Sequence, residues 1–174
     1  MKKNILFILT TVFICLSVSV QAQHNDDHAE AAHNHSLDHE LIFRDVKGDT
    51  TALSLSRGKV VFINIWAVWC GPCREELPGL NELYLKYKDN KNVTFLFVDA
   101  DSNLKKAQRF LDRRNYQIPL YESLNGFPAS LFRGAVPTTM VFDRQGKIIM
   151  YYEGAADYTN ENFIRKFDDF VNKG

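Results

Sequence analysis

The run from Val60 to Pro78, VVFINIWAVWCGPCREELP, restricts what this chain can fold into more than any other stretch. Val60 to Trp66 is too uniformly apolar and β-branched for a half-exposed strand, which predicts a central strand buried on both faces. A helical pattern follows it. Between them lie Trp69, Cys70, Gly71, Pro72 and Cys73, so two thiols sit where a strand passes into a helix N-terminus. The free amides and the macrodipole of that terminus favour negative charge, which stabilises a thiolate at the first cysteine. Cys70 is therefore the expected nucleophile. Cys73, one turn on and facing inward, can attack a mixed disulfide formed at Cys70 and complete a two-electron exchange. Pro72 suits the first turn because the amide it lacks would have had no helical partner there.

The sequence Trp69-Cys70-Gly71-Pro72-Cys73 after a buried strand resembles the thioredoxin superfamily. Its flanks, Asn64 to Ala67 and Arg74 to Pro78, resemble the exported TlpA/ResA-type disulfide reductases. The resemblance covers roughly the last three quarters of the chain and implies an α/β, thioredoxin-like three-layer fold, a central mixed sheet flanked by helices. It also implies that Pro137 is a cis-proline lying against the dithiol. Val136 would then offer its main chain to a substrate strand, with Trp69 beside it on the substrate-binding surface. A CxxC pair is also half of a zinc site, but tetrahedral zinc needs four ligands and the chain holds no second cysteine pair.

Attack by Cys73 requires removal of its proton. Thioredoxins carry a buried aspartate six residues before the first cysteine; here Asn64 stands there, and an amide is no base. Glu76, three residues past Cys73, occupies the position where ResA-like proteins carry an active-site carboxylate, and burial would raise its pKa. The alternative is that Glu75 and Glu76 only complement the helix N-terminus. We take Glu76 as functional with Cys70 and Cys73, and Glu75 as surface.

With 174 residues, 45% hydrophobic and 24% charged, the chain suffices for one domain with appendages. Formal net charge is 0, and it becomes −2 beyond residue 22 because Lys2 and Lys3 are the only charged residues before that point. Such a balance gives no electrostatic footprint for nucleic acid. Residues 1–22 have the pattern of a signal peptide: Lys2 and Lys3, an apolar run Ile5 to Val20, and Val20-Gln21-Ala22 as a cleavage site. The run is short for a membrane span, an uncleaved anchor being the alternative. Cys15 lies within it, so the exported chain is expected to carry only Cys70 and Cys73. If a disulfide exists there, it is the catalytic one.

Residues 23–40 hold all five histidines, His24, His28, His33, His35 and His39, in a polar tract predicted to be a disordered linker. Either it is a spacer or its imidazoles capture copper, zinc or nickel. The thioredoxin-like domain is assigned to 41–174. Leu41 to Leu55 predicts a hairpin turning at Lys47-Gly48-Asp49, and Leu77, Leu80, Leu83, Tyr84 and Tyr87 predict a helix to about Lys88. Val93 to Val98 predicts a parallel neighbour strand. Asp101 or Ser102 should cap a helix bearing Leu104, Ala107, Phe110 and Leu111. A short strand at Ile118 to Tyr121 and a hairpin of Thr139–Phe142 with Ile148–Glu153 follow. A last amphipathic helix, capped by Thr159, carries Phe163, Phe167, Phe170 and Val171. Phe127 and Phe132 either pack beneath a loop or form a partner surface.

These readings converge on an exported, periplasmic thiol-disulfide oxidoreductase acting as a reductant, with no cofactor beyond the Cys70/Cys73 pair. Its expected partners are exported proteins with cysteines, apo-cytochrome c among them, and a membrane thiol relay as electron donor. The rivals are a metal-handling protein using the dithiol and histidine tract, and an isomerase or oxidant using the same cysteines.

Overall fold

A computed structural model describes residues 40–173; the predicted leader with Cys15 and the five tract histidines lie outside the described residues. Among the described residues the strands are β1 (Ile42–Asp45), β2 (Thr50–Ala52), β3 (Val60–Trp66), β4 (Val93–Asp99), β5 (Leu120–Ser123), β6 (Thr138–Phe142) and β7 (Ile148–Glu153). The helices are α1 (Gly71–Tyr87), α2 (Leu104–Asp112) and α3 (Glu161–Lys173). The strands form one mixed sheet in the order β2-β1-β5-β4-β3-β6-β7. β3 pairs parallel with β4 along its whole length and antiparallel with β6. Having a neighbour on each side and a packed layer on each face, it buries all seven of its residues, as its continuous apolar run requires.

The crossovers β3-α1-β4 and β4-α2-β5 both join parallel strands and step the same way across the sheet. Such crossovers are right-handed, so both helices fall on one face. There Phe62 and Trp66 of β3 meet Leu77, Leu80 and Leu83 of α1, Phe110 and Leu111 of α2, and Phe167 of α3. Phe62 is the hub of that layer. Its ring lies 5.3, 6.0, 5.7 and 5.8 Å from those of Phe95, Phe97, Tyr158 and Phe167. The alternate residues of β3, Val61, Ile63 and Ile65, point the other way onto Leu41, Phe43, Leu131, Met140 and Phe142. The β5–β6 connection closes this second layer. Phe127 packs 5.9 Å from Phe43 and 5.8 Å from Phe132, so these phenylalanines cover the sheet beneath a loop.

Three local expectations are corrected. The α2 cap is Asn103, whose Oδ1 accepts the Lys106 amide at 3.2 Å, and neither Asp101 nor Ser102. Ser102 sits at φ 51°, whereas a capping residue is extended, and the Asn103 amide is fixed by Asp99 Oδ2 at 2.7 Å. The α3 cap is Asn160, which accepts the amides of Asn162 and Phe163 at 2.9 and 3.4 Å. Thr159 instead donates its hydroxyl to Asp157 at 2.6 Å. β5 begins at Leu120, after Pro119, because proline has no amide to contribute to a ladder. No described helix is long and apolar enough to cross a membrane.

Candidate active site

β3 ends at Trp66, the Cys70 amide donates to Ala67 O at 3.1 Å, and this turn delivers Cys70 to the N-cap of α1. Cys70 Sγ then accepts the Cys73 amide at 3.1 Å, a side chain doing for the helix terminus what serine or aspartate usually does. The same amide and the dipole behind it stabilise a thiolate when the pair is reduced. The two cysteines are joined in a disulfide of S–S length 2.07 Å. Cys73 is wholly buried and Cys70 is 4% exposed, so what little access exists is to the first sulfur.

The sheet brings a second segment against that sulfur. β6 pairs with β3, and the residues just before it place Val136 O 3.5 Å from Cys70 Sγ, with the Val136–Pro137 peptide bond cis. Trp69, next to Cys70, is 61% exposed. Its indole is nevertheless held, since Nε1 donates to both carboxylate oxygens of Asp101 at 3.1 and 2.9 Å. Asp101 belongs to the β4–α2 connection, so this loop sets the attitude of a large exposed apolar side chain next to Cys70.

Beneath the dithiol lies a buried polar chain. Glu76, one helical turn beyond Cys73, is 5% exposed. Its Oε1 accepts from Asn64 Nδ2 at 2.9 Å, and its Oε2 accepts from the Ala156 amide at 3.1 Å. Asn64 Nδ2 also donates to Thr139 Oγ1 at 2.9 Å, and that hydroxyl lies 2.5 Å from Tyr158 Oη. Burial pushes the Glu76 carboxyl up to about 7, against the opposing pull of the bonds from Asn64 and Ala156. Burial and the neighbouring Glu76 charge raise the Tyr158 phenol well above its usual range, so it stays a neutral hydroxyl. Glu75, by contrast, is exposed.

The structure thus gathers Trp69, Cys70, Cys73, Val136 and Pro137 at one end of β3, with Glu76 and Asn64 beneath them. Asp101, Thr139 and Tyr158 were not singled out from sequence as site residues. Among the described residues no group of three or more His, Cys, Asp and Glu side chains could hold a metal ion.

The raised Glu76 pKa carries a stability consequence of definite sign. The native protein holds this proton more tightly than the unfolded chain. The associated stabilisation is therefore complete below about pH 4.5 and lost as pH rises through about 7, at most about 3 kcal/mol in all. Urea unfolding of the oxidised protein should show a lower midpoint at pH 8 than at pH 5, and that difference should shrink in Glu76→Gln. Equal pH dependence in the two proteins would contradict the assignment.

A family model described as Redoxin matches residues 39–166. The chain is 30% identical over 159 residues to thiol-disulfide oxidoreductase ResA of Bacillus cereus, covering 88% of this chain and 91% of that one. It is 31% identical over 157 residues to the ResA of Oceanobacillus iheyensis, covering 88% and 80%. Among solved structures, a thioredoxin-family thiol:disulfide interchange protein from Chlorobium tepidum superposes with a TM-score of 0.62. It covers 76% of this chain and 94% of its own at 19% identity, a likeness of fold.

Proposed function

Because the chain belongs to the redoxin family as a TlpA/ResA-like thiol-disulfide oxidoreductase of thioredoxin fold, we propose that it reduces disulfides in exported proteins, with Cys70 as the attacking sulfur. The observation that carries this reading is Cys70 itself: its sulfur caps α1 and lies 3.5 Å from the carbonyl of Val136. A substrate strand pairing with the Val136 main chain would be held with its disulfide against the nucleophile.

In the reduced protein the Cys70 thiolate attacks one sulfur of the substrate disulfide, and the other substrate sulfur leaves as a thiolate. Cys73 then passes its proton to Glu76 and attacks Cys70 Sγ. The Cys70–substrate bond breaks, the Cys70–Cys73 bond forms, and the substrate has gained two electrons. Glu76 suits the proton step because a base is most effective when its pKa lies near the working pH. The buried Asn64 amide, in place of a second acid, keeps Glu76 as the one carboxyl in this hydrogen-bonded chain.

Export is supported by the leader pattern of residues 1–22, and it places the protein in the periplasm or its equivalent, where disulfides form and persist. Apo-cytochrome c, whose haem-attachment cysteines must be reduced, is the substrate we propose, with a membrane thiol relay as the electron donor. Equilibration with glutathione buffers tests the direction. A potential close to that of thioredoxin, about −270 mV, is expected, whereas a value near about −120 mV would make the protein an oxidant.

A further inference from the structure

Glu76 faces two ways. Oε1 points inward to Asn64, while Oε2 is bound by the Ala156 amide, which belongs to the connection between β7 and α3. That connection is one wall of a cleft of about 350 Å³, lined by Glu75, Glu76 and Gly79 of α1 and by Ala155 to Thr159. The volume is ample for a file of water molecules, each of which occupies about 30 Å³ in the liquid. Neither Trp69, Cys70, Val136 nor Pro137 lines it. Glu76 therefore borders solvent space by a route that shares no residue with the substrate-facing surface.

We propose that this cleft is the proton port of Glu76, through which the carboxyl exchanges with solvent while a bound protein substrate covers the dithiol. The inference rests on Glu76 being the acceptor of the Cys73 proton. In the mixed disulfide, Cys73 can give up its proton only to an ionised Glu76. A molecule that enters this state with Glu76 protonated must first lose that proton to water. A protein strand lying along Val136 blocks the dithiol side, and the cleft stays open. Its exposed acidic side chains, Glu75 and Asp157, draw a departing proton outward. The Tyr158 phenol, buried behind that wall against Thr139, stays protonated and contributes no charge. Below neutral pH more of the Glu76 population carries a proton, so the port matters most there.

Gly79 gives the means of closing it. A methyl group built there meets Thr159 Cγ2 at 3.4 Å and Tyr158 Cβ at 3.8 Å, ordinary contacts across the cleft, and a longer side chain would fill it. The test compares Gly79→Leu with the wild type at pH 6, reducing either insulin or the small hydroxyethyl disulfide. Insulin reduction should slow several-fold while hydroxyethyl disulfide reduction is unchanged. Should Gly79→Leu fail to fold, Gly79→Ala is expected to show the same selectivity with a smaller slowing. Equal effects on the two substrates, or none on either, would overturn the proton port. Glu76→Gln separates the two levels: if it leaves both reactions at wild-type rate, the assignment of Glu76 has failed. If it slows both while the Gly79 variants slow neither, only the port has failed.

Discussion

The Cys73→Ser protein, reduced and mixed with disulfide-bearing substrate proteins, is expected to stop turning over and to accumulate covalent adducts through Cys70, approaching one per molecule. The reason lies in the unequal placement of the two sulfurs. Cys70 is the one at the helix terminus, with the Cys73 amide 3.1 Å from its Sγ, and the serine variant retains that backbone amide. First attack therefore persists. Resolution does not, because a hydroxyl is too weak an acid to be ionised by a group of pKa about 7 and is a poor nucleophile toward sulfur. Cys73 is fully buried, so neither free thiols nor a second protein readily reaches the trapped bond from its side. Non-reducing electrophoresis and intact mass in the native host would identify the partners, and Cys70→Ser should yield none. Absence of adducts from Cys73→Ser, with Cys70 still open to alkylation, would remove the enzymatic order of attack. Adducts from Cys70→Ser would assign the nucleophile to Cys73.

The central strand, the dithiol and the burial of Glu76 were legible in the sequence because each is governed by local chemistry. A seven-residue apolar run admits few readings, a CxxC at a strand-to-helix junction carries its own electrostatics, and Glu76 is one turn from Cys73 on the buried side of the same helix. Thr139 and Tyr158 acquire their roles only when β6 lies beside β3 and the segment before α3 folds back over α1. The Asn64–Thr139 bond spans 75 positions in sequence, and no periodicity encodes it. Asp101 illustrates a different limit. Its proximity to the end of β4 suggested a helix cap, a role that any short polar side chain there could fill. The structure gives the cap to Asn103 and turns Asp101 toward the Trp69 indole, with a left-handed residue, Ser102, between them. The pairing of Phe127 with Phe43 was hidden for the same reason as Thr139, since a strand 84 positions earlier supplies the surface it covers.

Glu76→Gln is expected to lower the rate of mixed-disulfide resolution by about 10²-fold or more at neutral pH, within the range general-base catalysis contributes, while leaving the first attack by Cys70 nearly unchanged. The substitution is well suited to isolate the proton step because the site can accept it. Glutamine can keep its oxygen toward the Ala156 amide, now bound to Oε2 at 3.1 Å, and turn its amide nitrogen toward Asn64. Asn64 Oδ1 is buried and has no hydrogen-bond partner, so half a turn of the Asn64 amide presents an acceptor to that nitrogen. Two signatures distinguish a lost base from a disturbed fold. Iodoacetamide should modify Cys70 in the reduced variant at close to the wild-type rate. The wild type is expected to show an inflection near 7 in the pH profile of resolution, from ionisation of the buried carboxyl, and the variant should lose it. A variant that resolved mixed disulfides at wild-type speed with the inflection retained would assign the proton to another group, and the buried chain from Asn64 to Tyr158 would then be a device of packing alone.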